Sequence, residues 1–310
     1  MGLRRVALSQ SRFREKTAAY AALVRVPNLF SAPPDVLLGA ALASATGVAV
    51  SIPALVGLSV ASILLYAGGT VLNDYFDAAI DATERPERPI PSGRVSRSRA
   101  GVLGASLLVV GCVLALATAG VGAGVLATAL AVVVALYDGV LKGTPLGFLA
   151  MGSARGLDVL LGTTVVDSFD FPFWAVVVSV VVALYIALIT YMAANEATDT
   201  ERRAVVAGIV GVVIAALAVL AAVVVVRPSL VQSALAVALV GGFLVWTGRA
   251  LWPAYANPLP ETVGPAVGAC VLALVVLDAA FAAVFGVEWA LAILAFLVPA
   301  LSFSRLFDIS

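Results

Sequence analysis

Histidine is absent from the chain, which excludes imidazole catalysis and any histidine-ligated metal or haem. Cysteine is almost absent. Cys112 and Cys270 stand alone in apolar runs and read as small core residues, not as a disulfide or a cysteine-rich metal site. Charge is scarce too: 12% of the 310 residues are charged, where soluble domains carry about a quarter. The 18 basic residues cancel the 18 acidic ones, so no excess of either sign invites a nucleic acid or another polyionic partner. What remains is hydrocarbon. Hydrophobic residues make up 62% of the sequence and the mean hydropathy is +1.11. The long uncharged runs are solid rather than alternating, which excludes a β-barrel. They define an all-α polytopic membrane protein whose solvent is the lipid bilayer.

Apolar spans are predicted near 21–47, 53–76, 100–118, 121–138, 145–165, 173–194, 204–226, 229–250, 263–285 and 287–304. The last pair reads equally as one broken span, so nine to ten transmembrane helices are expected. Numbering the connections alternately places 16 of the 18 basic residues on one side; only Arg227 falls on the other, and Arg155 lies inside a span. By the positive-inside rule that side is cytoplasmic. A multi-pass protein of the cell membrane is expected, with its N-terminus and residues 73–97 in the cytoplasm. Residues 1–20 are too polar for a cleavable signal and read as a cytoplasmic segment. With no long linker in sight, 1–310 is expected to form a single transmembrane domain.

Polar residues gather at the cytoplasmic ends of two even-numbered spans. In NDYFDAAIDATERPERPIPSGRVSR, residues 73–97, Asn73, Asp77 and Asp81 recur every four positions. On a helix they stack on one face about 6 Å apart along the axis, with Asp74 at its edge. Carboxylates beside hydrocarbon need a counter-ion, and all-oxygen ligands suit Mg²⁺, which takes phosphate oxygens as further ligands. Arg85, Arg88 and Arg94 follow in a proline-interrupted loop. The arginines alone fit an ordinary solvated loop as well; the helical spacing of the acids does not. The sixth span ends YMAANEATDTERR, with Asn195 and Asp199 at i, i+4 and Glu196 and Asp199 at i, i+3. That is either a second metal site or a helix-end cluster of Glu and Arg.

NDYFDAAID resembles the NDxxDxxxD motif of the UbiA superfamily of intramembrane prenyltransferases. RPERPIPSGRVS and YDGVLKGTPLG, residues 137–147, resemble the segments that follow it there. Within the superfamily the likeness is nearer the branch of EboC-like proteins than the quinone-pathway enzymes. The resemblance implies helices around a central cavity, with acidic motifs on helices two and six. It implies Mg²⁺-dependent transfer of a prenyl group from a polyprenyl diphosphate to a hydrophobic acceptor. Asn73, Asp74, Asp77, Asp81, Asn195, Glu196 and Asp199 would hold the metal, and Arg88, Arg94 and Lys142 the diphosphate. Asp77, Asp81, Asp199 and Tyr137 would carry the catalysis. The second motif departs from the family's DxxxD, because its first position is Asn195 or, one residue on, Glu196.

Three further acids lie inside apolar runs. Asp158 is expected to pair with Arg155 at i, i+3. Asp35 follows Arg25 and Asn28 on a proline-broken first span; the three are candidates for binding the acceptor, and Asp35 reads equally as the base that removes its proton or as a buried structural partner. Asp278 has no partner nearby in sequence. A transporter, for which the intramembrane charges speak, and a non-catalytic lipid-binding relative are the rival readings.

Overall fold

The structure is a computed structural model describing residues 17–166, 171, 173–194 and 202–306. Residues 17–23 form α1, followed by a 3-10 segment, Val26–Ser31, and a short α2, Pro33–Ser44. Long helices follow: α3 (Ile52–Glu84), α4 (Arg97–Leu136), α5 (Pro145–Thr163), α6 (Phe173–Ala194), α7 (Arg202–Val226), α8 (Leu230–Ala256) and α9 (Pro260–Phe285). Two short helices, α10 (Val287–Ala295) and α11 (Leu297–Leu306), end the described chain. Among the described residues, seven helical stretches are long and apolar enough to cross a membrane.

The class is the one expected, but the first and the last predicted spans differ, and the third and fourth follow one another without a loop, each with a local cause. The predicted first span, 21–47, is broken. Arg25 takes left-handed backbone angles (φ 51°, ψ 58°) and Pro27, Pro33 and Pro34 follow, leaving α2 only 12 residues. The predicted third and fourth spans fall in one continuous helical assignment, but the chain reverses inside it. Ala119 (φ −136°) and Gly120 (φ 80°, ψ −172°) leave the helical region, and only glycine adopts the second conformation without strain. A Cβ on Gly124 would meet Leu116 Cβ at 3.0 Å, whereas residues eight apart in a straight helix are about 12 Å apart along the axis. At the far end, α10 and α11 have nine and ten residues, each too short to cross alone.

Helices approach through small residues, as membrane helices do where apolar surfaces gain nothing from leaving lipid. On α3 and the first half of α4, Gly68 and Gly104 face each other: a Cβ on either would come within 3.3 Å of the other's carbonyl oxygen. The tightest contact joins α2 to α5, where a Cβ on Gly39 would lie 2.0 Å from Val159 O and one on Gly162 2.1 Å from Val36 O. α9 is the most enclosed long helix, with 72% of its apolar window buried against 22% for α8. It packs on α2, α6, α7, α8 and α10. The outer faces of α4, α7 and α8 instead expose Val113, Leu217 and Val245, the surface that lipid would cover.

Gly162→Ala should therefore lower stability, because its Cβ meets backbone that cannot step aside. Overpacking of this kind costs about 1–3 kcal/mol. Thermal unfolding in detergent should show the loss, with Gly241→Ala, where nothing lies within 4 Å of a new Cβ, as the unaffected control.

Candidate active site

The C-terminal half of α3 is one continuous helix through the acidic motif, so the predicted i, i+4, i+8 spacing of Asn73, Asp77 and Asp81 holds. The cations that meet these acids come from three other segments. Arg25, at the start of the 3-10 segment, donates to Asp74 Oδ1 at 2.9 Å and to Asn73 Oδ1 at 3.4 Å. Arg88, from the loop after α3, donates to Asp81 Oδ2 at 2.7 Å and to Asp74 Oδ1 at 3.4 Å. Lys142 bonds Asp77. Asp74 and Asp81 are buried and Asp77 is partly open.

Lys142 reaches the site because α4 ends in a π-helical turn, Tyr137–Leu141, whose closing bond runs from Lys142 N–H to Tyr137 O at 2.8 Å. Such single turns are frequent at functional sites. The turn also brings in a residue that the sequence reading missed. Asp138 is buried, and its Oδ1 accepts from Asn73 Nδ2 at 2.9 Å. This bond fixes the Asn73 amide so that its oxygen, the atom able to ligate a metal, faces Arg25. Nothing in the spacing of YDGVLK marks Asp138, because its partner lies 65 residues away.

A cavity of about 170 Å³ opens beside these groups. Ser62, Leu65, Tyr66, Gly69, Thr70 and Asn73 line it from α3, the spacing of one helical face. Arg25, Tyr137 and Asp138 line its polar mouth, Leu130, Val134 and Met151 its apolar wall, and Arg155 and Asp158 its inner end.

Not every predicted site residue is brought together. Arg94 is exposed and serves its own loop, through Nε to Ser92 Oγ at 2.9 Å and a bond to the Glu87 carbonyl. Arg25, Asn28 and Asp35 separate: Arg25 joins the acidic motif, Asn28 is exposed, and Asp35 is wholly buried against Arg155 at 2.7 Å. The expected Arg155–Asp158 pair is replaced. Arg155 also donates to Ser31 O and Oγ, while Asp158 accepts from Ser62 Oγ at 2.6 Å. Asn195, Glu196 and Asp199 lie outside the described residues.

Among the described residues no three acids converge as a ready metal cage. The donor set nevertheless fits Mg²⁺: Asn73 presents an amide oxygen, Asp77 and Asp81 present carboxylates, and Mg²⁺ keeps water and phosphate in its remaining positions. Asp77 and Asp81 are at present held by Lys142 and Arg88.

The described residues thus form an all-helical membrane bundle with carboxylates and cations gathered at one end of an apolar-walled cavity. Residues 36–259 match the UbiA prenyltransferase family, and the chain belongs to that family. A digeranylgeranylglyceryl phosphate synthase of Ignicoccus hospitalis is 41% identical over 149 residues, covering 48% of this chain and 47% of the relative. The chain thus spans about half the length of that relative. A solved structure of digeranylgeranylglyceryl phosphate synthase in membranes has a TM-score of 0.60 and 21% identity over 93% of this chain and 99% of that one. A UbiA homologue from Archaeoglobus fulgidus bound to GPP and Mg²⁺ has a TM-score of 0.56 and 14% identity over 89% of this chain and 99% of that one. At these identities the likeness is one of fold.

Removing Arg88 would leave Asp81 without its cation and Asp74 with only Arg25. Losing one partner of a buried pair costs about 3–5 kcal/mol, and Arg88, which is partly exposed, belongs at the lower end. Arg88→Ala should lower the unfolding midpoint, and Arg88→Ala with Asp81→Ala should recover part of the loss.

Proposed function

We propose that this chain transfers a prenyl group from a polyprenyl diphosphate to a lipophilic acceptor within the membrane, with Mg²⁺ as cofactor. The whole chain acts as one such unit in the cell membrane, with its N-terminus and the mouth of the cavity on the cytoplasmic side. One observation carries the reading: Arg25, Arg88 and Lys142 converge from separate segments on the acidic end of α3, at the mouth of an apolar-walled cavity. The relatives' name contains a glyceryl phosphate, so a lipid of that class is the first acceptor to test. Phenolic and quinone precursors, carotenoids and polyols follow.

The chemistry follows from the charges. An arriving diphosphate competes with Asp74, Asp77 and Asp81 for Arg25, Arg88 and Lys142, and each cation it captures leaves a carboxylate oxygen free. Mg²⁺, held by Asn73, Asp77 and Asp81 and completed by Glu196 and Asp199, would act as Lewis acid on the diphosphate oxygens. The captured cations stabilise the leaving group as the allylic C–O bond breaks, in a setting where preorganised charge is worth far more than in water. Tyr137 and Tyr66 offer π-faces to the allylic cation. Leu65, Leu130 and Val134 exclude the water that would quench it. An electron-rich carbon or an oxygen of the acceptor then bonds to the allylic carbon and gives up a proton.

Protein in nanodiscs, given labelled geranylgeranyl diphosphate, Mg²⁺ and membrane extract, should release diphosphate and form a prenylated lipid identifiable by mass spectrometry. Asp77→Ala should lower turnover by about 100-fold or more, the scale of losing one strong electrostatic contact to the leaving group. Parental turnover in that variant removes the proposed metal role. Diphosphate release by no donor chain length counts against the enzyme reading and for a transporter or lipid-binding relative.

A further inference from the structure

The transfer chemistry uses the mouth of the cavity; its inner end carries polar groups that chemistry leaves over. Asp158 of α5 lines the cavity there and is 5% exposed. Its Oδ2 accepts from Ser62 Oγ at 2.6 Å, while Oδ1 has no protein donor. Arg155, one turn earlier, does not satisfy it. That guanidinium donates to Asp35 Oδ2 at 2.7 Å, Ser31 O at 2.9 Å and Ser31 Oγ at 3.0 Å, and packs 5.5 Å from the centre of the Tyr66 ring. A third buried acid, Asp278 of α9, abuts Asp35, and neither of its oxygens has a protein donor. Three carboxyl groups thus surround one guanidinium, each with an oxygen that no protein donor meets, and of the three Asp158 is the one that lines the cavity.

A buried polar atom without a partner costs about 1–3 kcal/mol, more if charged. Acids inside a membrane bundle persist where they serve a ligand or a pathway. Position selects the ligand. Ser62 lies eleven residues before Asn73 on α3, about 16 Å deeper at 1.5 Å per residue. A diphosphate at the mouth does not extend so far, and a bare isoprenoid chain reaching it would bring no donor to Asp158.

We propose that the inner end of the cavity binds a hydrogen-bond-donating group, a hydroxyl or an ammonium, with Asp158 as its acceptor and Ser62 holding the carboxylate in place. Assigning this group to the distal end of the acceptor substrate rests on the prenyl-transfer reading; the binding site itself does not. The acceptor that fits is polar at both ends, with its nucleophile near the mouth and a second donor at the floor.

The test is equilibrium binding to protein in nanodiscs, without diphosphate or Mg²⁺ and against empty nanodiscs. The probes are octane-1,2-diol, octylammonium and 1-methoxyheptane, an ether of similar size that cannot donate. The parent should bind at least one donor probe tenfold or more tighter than the ether. A diol preference assigns a hydroxyl and an octylammonium preference an ammonium. Asp158→Asn should abolish an ammonium preference, and Asp158→Leu should abolish either. No preference in the parent, or one that survives in a folded Asp158→Leu, overturns the proposal. Should that variant give no cooperative thermal unfolding, Ser62→Ala takes its place. A threefold or larger loss of preference is then expected, and an unchanged preference counts against the site. Failure of the parent to bind geranylgeranyl diphosphate with Mg²⁺ in a separate titration would speak against prenyl transfer and leave this site standing.

Discussion

A carboxylate at the margin of hydrocarbon persists only in company, and the C-terminal end of α3 is organised by that constraint. Asp74, Asp77 and Asp81 each meet a cation from outside their helix: Arg25 before α2, Arg88 in the loop after α3, and Lys142 beyond the π-helical turn. None of these pairs is a helix-surface i, i+4 contact worth a few tenths of a kcal/mol. They are partly buried ties between segments up to 65 residues apart. On the proposed reading, the pairs that gather this end of the bundle are also the pairs a diphosphate would open. On that reading the site is held shut by its own charges until a ligand of higher charge density takes the cations over.

Much of this was legible in the sequence because it depends on short-range periodicity. The solid apolar runs require helices in a bilayer, and the spacing of Asn73, Asp77 and Asp81 requires a polar face on one of them. What could not be read depends on distant partners. Arg155 has an acid three residues on, yet its guanidinium bonds Asp35, 120 residues away. Sequence proximity ranks the nearer acid first, because it cannot show that α2 and α5 touch through Gly39 and Gly162. Asp138 carried no motif of its own and becomes part of the site only through Asn73. The breaks in the first span were written in Pro27, Pro33 and Pro34, but a hydropathy window averages across prolines. Their effect on backbone geometry outweighs the continuity of apolar residues around them.

The irregular backbone falls where it is useful. Arg25 leaves the helical region just where its side chain must turn towards α3. α4 relaxes into a π turn just where Tyr137, Asp138 and Lys142 must serve the cavity together. Regular α-helix would spread three residues at these spacings around its surface. In lipid such departures are tolerated only where protein or a cavity satisfies the freed groups, and here the π turn closes its own bond from Lys142 N–H to Tyr137 O.

The cavity thus has two polar ends separated by Leu65, Leu130 and Val134, and the two differ in charge balance. At the mouth, Asp74, Asp77 and Asp81 are paired with two arginines and a lysine, and the fourth acid, Asp138, is held by Asn73. At the floor, Asp158 lines the cavity beside Arg155, and Asp35 and Asp278 lie behind them against the same arginine. A cluster with three cations can open to exchange them for an anion. An acid-rich one has lone pairs to offer and no free cation, so it rejects anions and draws hydrogen-bond donors. The same cavity therefore discriminates along its length, and an elongated molecule entering with its anionic head at the floor would be disfavoured. For the proposed anionic donor, that polarity would orient the head at the mouth before any metal binds.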